Sequence, residues 1–163
     1  MNLLYLRLCG ALLVTAAGGL GGHAIYAARK RRVSLLRELA AGLGRLADEL
    51  ELTAAPLDEI FERLRERPFF DQLSKDFDGA TLARSWRRAA MAQPLDTGSK
   101  TALSGLAETV GRCGAGRQVK ELELVRRRLD EAASALERDL AIQGRTLTGL
   151  GAALGALLTL ILL

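Results

Sequence analysis

LELVRRRLDEAASALERDL, residues 122–140, is the stretch of sequence that decides the fold. Its apolar residues recur at spacings of three and four, which places them along one face of an α-helix in a seven-residue repeat. They are Leu122, Val125, Leu129, Ala133, Leu136 and Leu140. Such a face is stable only when another helix covers it, so the stretch predicts a long helix with a helical partner.

The obvious partner is LRELAAGLGRLADEL, residues 36–50, which carries leucines at the same spacings. Charged residues such as Arg45 and Asp48 fall on the other face of a helix predicted over residues 32–52. No segment alternates apolar and polar residues in the manner of a strand. The sequence therefore predicts an all-α fold in which these two helices pack together.

Four shorter segments between them also have helical spacing. The second helix starts at Pro56, Pro68 separates it from the third, and the fourth covers residues 81–91. Ser99 is predicted to cap the fifth helix, and residues 111–116 are predicted to form a glycine-rich loop. The predicted buried side chains are Leu57, Ile60, Phe61, Leu64, Phe69, Phe70, Leu73, Phe77, Leu82, Trp86, Ala90, Leu103, Leu106 and Val110.

Both ends of the chain are apolar. Residues 8–28 and residues 146–163 are uncharged runs of 21 and 18 residues. A bilayer core about 30 Å thick needs about 20 apolar residues in helical form. The sequence therefore predicts an N-terminal transmembrane helix over residues 1–28 and a transmembrane or membrane-associated helix over residues 146–163. The first run could instead be a cleaved signal peptide, but the basic residues that follow it argue for a retained anchor.

Those basic residues predict the orientation in the membrane. Residues 29–32 are expected to be a basic cytoplasmic stop, and a further arginine precedes the second run. We therefore expect residues 33–145 to form a cytoplasmic helical domain, with both termini across the membrane. The predicted architecture is a bundle of about six helices between two transmembrane helices. The residues that set the orientation are Arg29, Lys30, Arg31, Arg32 and Arg145.

The basic composition of the chain does not indicate nucleic acid. The chain has 23 Lys and Arg residues against 19 Asp and Glu residues. Five of the basic residues are Arg7 and residues 29–32, which leaves 18 against 19 in the predicted domain. That domain has a net charge of −1, whereas nucleic-acid binding needs a basic surface.

The sequence offers no catalytic, cofactor-binding or metal-binding residues, so it predicts a protein that is not an enzyme. The single histidine, His23, lies in the first apolar run near its cytoplasmic end, and a structural role is favoured over an intramembrane function. Cys113 has no histidine in the domain to activate it and no second cysteine there for a metal, and Cys9 lies in the predicted membrane helix.

Two further groups of residues allow both a structural and a functional interpretation. Phe69, Phe70 and Trp86 are either core residues or anchors for a partner protein, and the core is favoured. The arginines at residues 87–88 and 126–128 are predicted to lie on solvated helix faces that nearby acidic residues balance.

Several stretches together resemble the stage III sporulation protein AB family of endospore-forming bacteria. They are LADELELTAAPLDEIF at residues 46–61, Trp86 within SWRRAA, residues 103–111, and Gln118 at the start of the long last helix. The chain departs from the family pattern at Gly114, where an aspartate is usual, and it lacks the acidic pair usual before the fifth helix.

The resemblance implies a part in the transenvelope complex that links mother cell and forespore during engulfment. It also implies a cytoplasmic domain similar to that of the inner-membrane platform proteins of type II secretion and type IV pilus systems. The expected partners are other proteins of the sporulation channel complex, with its cytoplasmic ATPase as a candidate. The expected location is the mother-cell membrane.

Two other functions are compatible with the sequence. One is a secretion or pilus platform component outside sporulation, which neighbouring genes would distinguish. The other is a small membrane-anchored regulator that dimerises through its last helix, for which residues 122–140 would have to be free to pair with a second copy.

Overall fold

The computed structural model describes the backbone of residues 3–53, 55–75 and 81–162, and the side chains of residues 26–53, 55–75 and 81–142. Within these ranges every regular element is helical, so the prediction of an all-α fold is confirmed for them. The elements are α1 (Leu3–Leu52), α2 (Leu57–Arg63), α3 (Pro68–Lys75), α4 (Leu82–Ala92), α5 (Thr97–Gly105), a 3-10 turn (Leu106–Glu108) and α6 (Ala115–Leu162).

The chain divides into two compact units. One contains Met1–Arg31 together with Leu136–Leu163, and the other is Arg32–Ala135. The second unit, called here the helical domain, contains α2 to α5 and the adjoining parts of α1 and α6.

The predicted transmembrane helices are not tested by the described residues. No helix in the part of the chain whose side chains are described is long and apolar enough to span a membrane. Nearly all of residues 8–28, and all of residues 146–163, lie outside that part.

Within the helical domain, α1 and α6 run antiparallel against each other. Arg37 Nη1 lies 3.8 Å from Asp130 Oδ1. Seven residues further along α1, a Cβ added at Gly44 would lie 3.1 Å from Cδ of Arg126. Position therefore rises along α1 as it falls along α6. The apolar faces of both helices are buried, and the side chains of Leu36, Leu43, Leu46, Leu122, Leu129 and Ala133 are at most 1 % exposed.

The turn between α2 and α3 is fixed to the part of α1 that belongs to the helical domain. The guanidinium of Arg67 donates from Nη1 to the backbone carbonyl of Glu38 at 2.9 Å. On the next turn of α1, a Cβ at Gly42 would lie only 2.6 Å from Cε2 of Phe70. Because that glycine has no side chain, the Phe70 ring on α3 can lie directly against the backbone of α1.

The start of α5 differs from the sequence prediction. Asp96 is the N-cap, with an extended backbone (φ −68°, ψ 161°), and its Oδ2 accepts from the backbone N–H of Ser99 at 2.9 Å. Its Oδ1 accepts from the Ser99 hydroxyl at 2.7 Å. The prediction that Ser99 caps this helix is therefore wrong, because Ser99 is the third helical residue and is the donor to the cap.

One other helix boundary differs from the sequence prediction. The last helix begins at Ala115, inside the stretch of residues 111–116 that the sequence predicted as a loop, because the carbonyl of Gly114 already accepts from the backbone N–H groups of Arg117 and Gln118. The third helix ends at Lys75, and Phe77 lies outside the described residues.

Replacing Gly42 by alanine should destabilise the domain. The added Cβ would clash with the Phe70 ring, which is 1 % exposed and has little room to move. We expect a loss of about 1–3 kcal/mol in the free energy of unfolding, as for other overpacked cores. Urea unfolding of the full chain, followed by the fluorescence of Trp86, measures it. Gly105→Ala is the matched control, because nothing lies within 4 Å of a Cβ there. Equal stability of the two variants would contradict the close approach of α3 to α1.

Replacing Asp96 should remove a pH-dependent contribution to stability. The hydrogen bonds from the Ser99 side chain and then its backbone hold the pKa of Asp96 below its ordinary value of 3.8. The stabilisation is therefore fully present above about pH 3.8, the unfolded value, and is lost as pH falls through the lower folded value. Asp96→Ala should cost about 0.5–2 kcal/mol at pH 7.

Asp96→Asn provides the control for this pH dependence. Its amide oxygen still caps the helix but does not titrate, so this variant should lose less stability than the wild type between pH 5 and pH 2, taken as roughly the range of carboxylate titration. If the free energy of unfolding fell equally in both proteins over that range, the Asp96 carboxylate would have no part in the pH dependence.

Candidate interaction surfaces

The aromatic residues singled out in the sequence form one buried cluster. Phe69 and Trp86 meet edge to face with ring centroids 5.2 Å apart, and Phe69 and Phe70 meet in the same way at 5.2 Å. Phe61 of α2 joins them, 6.3 Å from Trp86. The exposed fractions of Phe69, Phe70 and Trp86 are 3 %, 1 % and 0 %. In the folded domain these three side chains offer no surface to a partner.

Trp86 also makes a buried hydrogen bond to the backbone of α5. Its indole Nε1–H donates to the backbone carbonyl of Leu103 at 2.8 Å, and both groups are buried. A buried indole N–H without an acceptor would be costly, so this bond sets the position of α5 against α4.

The residues predicted to orient the chain in the membrane are only partly described. Arg29 is half-buried, and Lys30, Arg31 and Arg32 are exposed. The side chains of His23 and Arg145 lie outside the described residues.

No metal centre is found in the part of the chain whose side chains are described. No three His, Cys, Asp or Glu side chains there lie close enough together to hold an ion. Cys113 is a half-buried free thiol in the loop before α6.

Gln118 locks the loop that leads into α6. Its side-chain amide donates to the carbonyl of Cys113, and its Oε1 accepts from the backbone N–H of Gly111 at 3.1 Å. Gly111 has a φ of +77°, and a Cβ there would lie 3.0 Å from Cδ2 of Leu82. The family resemblance pointed to Gln118 but gave no physical role for it. In the structure its buried side chain holds the loop through two hydrogen bonds to the backbone.

A charged cluster covers the surface of α2 and α3. Arg65 bridges Glu62 at 2.7 Å and Asp71 at 3.2 Å, and Lys75 reaches Asp71 at 2.6 Å. The bond from Lys75, followed by that from Arg65, holds the pKa of Asp71 below its ordinary range. Exposed pairs of this kind add little stability. Because the basic and acidic side chains pair with each other, the cluster offers no net charge to a ligand.

A shallow groove lies between α5 and α6. Its volume is about 460 Å³, and its walls include Thr101, Ala102 and Gly105 on α5 and Leu124 and Arg128 on α6. Leu124 is 42 % exposed, which makes it the main apolar side chain available there.

The exposed side of α4 carries three arginines followed by a methionine. Arg84, Arg87, Arg88 and Met91 follow the spacing i, i+3, i+4, i+7, so they form one contiguous strip, called here the α4 arginine face. All four are exposed, Met91 by 54 %. The helix contains no acidic residue.

Of the arginines expected to be balanced by nearby acidic residues, one in each cluster has an ionic partner among the described residues. On α6, Arg126 is paired with Glu123 at 2.7 Å and lies 3.9 Å from Asp130. On α4, only Arg87 has an ionic partner among the described residues, Glu108, which also pairs with Arg112 at 3.0 Å.

The α4 arginine face lies in a segment whose charge differs from that of the domain as a whole. Residues 33–66 contain four basic and eight acidic residues, a net charge of −4. Residues 81–120 contain seven basic and two acidic residues, a net charge of +5. The near-zero total therefore conceals a domain with oppositely charged segments.

Comparison with known proteins identifies the family. The family model for stage III sporulation protein AB matches residues 7–163. Comparison with curated proteins and with solved structures gives no match. Since the match extends over nearly the whole length, including both long helices and all the short ones, the chain belongs to the stage III sporulation protein AB family.

Proposed function

We propose that the protein is a non-enzymatic membrane scaffold of the mother cell–forespore transenvelope complex, which binds partner proteins through its helical domain. The observation that carries the proposal is the match of residues 7–163 to a sporulation family. The physical character of the domain supports it. Its largest side chains are used for packing, and its described surface offers exposed arginines and single exposed apolar side chains, Met91 and Leu124 among them, for contact with a partner.

The proposed location is the mother-cell membrane, with residues 33–145 in the cytoplasm and both termini across the membrane. This rests on the apolar runs at the two ends and on the four basic residues at positions 29–32. The proposed partners are other proteins of the complex, among them its cytoplasmic ATPase.

A regulator that dimerises through its last helix is less well supported. Leu122, Leu129 and Ala133 are 0 % exposed within a single chain, and α1 already lies against this part of α6. A second copy could pair there only after the domain had opened, which would expose its core to water.

Deletion of the gene should stop forespore development at the engulfment stage in its host. A scaffold supplies contacts that no other component replaces, so heat-resistant spores should be absent, and the wild-type gene at a second locus should restore them. Spore counts after heating, with fluorescence microscopy of forespore membranes, measure this. Normal forespore development in the deletion strain would reject a role in the complex.

The topology predicts the behaviour of reporter fusions. Alkaline phosphatase fused after Leu163 should be active and green fluorescent protein at the same place should be dark, because that end is expected outside the cytoplasm. The control is the reverse pattern for fusions after Gln93, between α4 and α5. A fluorescent fusion after Leu163 would contradict the two-helix topology and leave a single N-terminal anchor.

A further inference from the structure

The arginines of α4 are placed where they weaken the helix that carries them. The positive end of a helix dipole lies at its N-terminus, where acidic residues are favourable and basic ones are not. Arg84 is the third residue of α4, and the first turn of this helix has no acidic residue. Arg88 lies one turn further on, and like charges at that spacing repel.

Neither Arg84 nor Arg88 forms an ion pair within the described part of the chain. Their positive charges are therefore not neutralised there. An arginine in such a position is expected to be kept for a contact outside the folded chain, since folding alone would favour an acidic or neutral residue there.

Glu108 indicates the chemistry that the face recognises. Its carboxylate lies between the guanidinium groups of Arg87 and Arg112, with one oxygen on each. These side chains are all more than half exposed. The arginines at this edge therefore already bind a carboxylate, and Arg84 and Arg88 offer two more positions of the same kind.

The separation of the arginines on the α4 arginine face matches acidic residues on a partner helix better than it matches an extended anion. Arg84 and Arg88 are about 6 Å apart along the axis of α4. Acidic residues at i and i+4 of a second helix have the same separation. Met91 continues the strip by one turn and offers its exposed side chain to an apolar residue.

Nucleic acid fits this surface less well. A polyanion needs a continuous basic surface, whereas Glu108 lies beside the arginines and the predicted cytoplasmic part of the chain is net negative. No aromatic side chain is exposed on α4 for base stacking, because Trp86 is fully buried.

We propose that the α4 arginine face is the docking surface for an acidic, amphipathic helical segment of a partner protein. The inference rests on the proposed function and names the surface and the charge of the partner.

The first test uses sporulation in the host. The chromosomal gene is replaced by Arg84→Glu/Arg88→Glu, with Arg127→Glu as the control for charge reversal. Arg127 is exposed on α6, on the side away from its buried face. We expect the double variant to reach wild-type protein levels but to lose heat-resistant spores, and the control to sporulate normally.

This design separates the two proposals. If the deletion strain sporulates normally, the proposed function fails. If deletion blocks sporulation but the double variant sporulates as well as the wild type, the docking surface fails and the proposed function stands.

The second test is direct binding. The probe is a fluorescein-labelled helical peptide of about 18 residues with glutamates at i and i+4 and a leucine three residues after the second, and a matched peptide has glutamine for glutamate. Binding to the full chain in detergent micelles should need the glutamates, weaken with added salt, and fall about tenfold or more for the double variant. Equal binding of the glutamate and glutamine peptides would overturn the proposal.

Vesicles of phosphatidylglycerol test the lipid alternative. Wild type and double variant should bind them equally, because the face is proposed to recognise a protein. Vesicle binding that the double variant loses would assign the face to a lipid surface and overturn the proposal.

Thermal unfolding distinguishes recognition from a structural role. Arg84→Glu places an acid at the positive end of α4 and a favourable pair with Arg88, so it should raise the unfolding midpoint by about 2–5 °C. The same substitution should weaken peptide binding. A variant that unfolds at a lower temperature than the wild type would instead show that Arg84 stabilises the fold, and would overturn the proposal.

Discussion

The helical domain depends on the antiparallel packing of α1 against α6. Each helix has an apolar face that water would destabilise, and each covers the other. The pair is formed by the parts of α1 and α6 that belong to the helical domain, so the four short helices lie between its two members in the sequence. That arrangement lets α2 to α5 be short, since a helix of seven to eleven residues is marginal alone and is stabilised by what it packs against.

The short helices are held by specific close contacts. Gly42 removes a side chain where the Phe70 ring needs space, and Arg67 binds the carbonyl of Glu38 on α1. Trp86 then ties α4 to the backbone of α5 through one buried hydrogen bond. The aromatic cluster thus joins α2, α3 and α4 to one another and to α1 and α5, and its burial excludes it as a binding site in the folded state.

Hydrophobic spacing in the sequence was sufficient to predict the helices and most of their buried residues. Leu122 and Leu129 were identifiable because spacing alone determines which side of a helix they share. The cap of α5 was not predictable in the same way. Asp96 and Ser99 are both good capping residues, and only the backbone conformation at Asp96 decides which one accepts the hydrogen bonds. The role of Gly42 was not predictable either, because it depends on the ring of Phe70, which is 28 residues away in sequence.

The surface chemistry was harder to predict, for an electrostatic reason. Charges counted over the whole domain nearly cancel, and the sequence predicted nearby acids for the arginines at residues 87–88 and 126–128. Whether an arginine forms an ion pair depends on which helix carries the acidic residue. Arg126 pairs with Glu123 on its own helix, whereas the helix that carries Arg84 and Arg88 has no acidic residue. Stability alone would favour an acid at position 84, so an arginine there opposes the local energetics of the fold. Conflicts of this kind are expected where a residue serves binding, because selection then acts on the complex and not on the isolated helix.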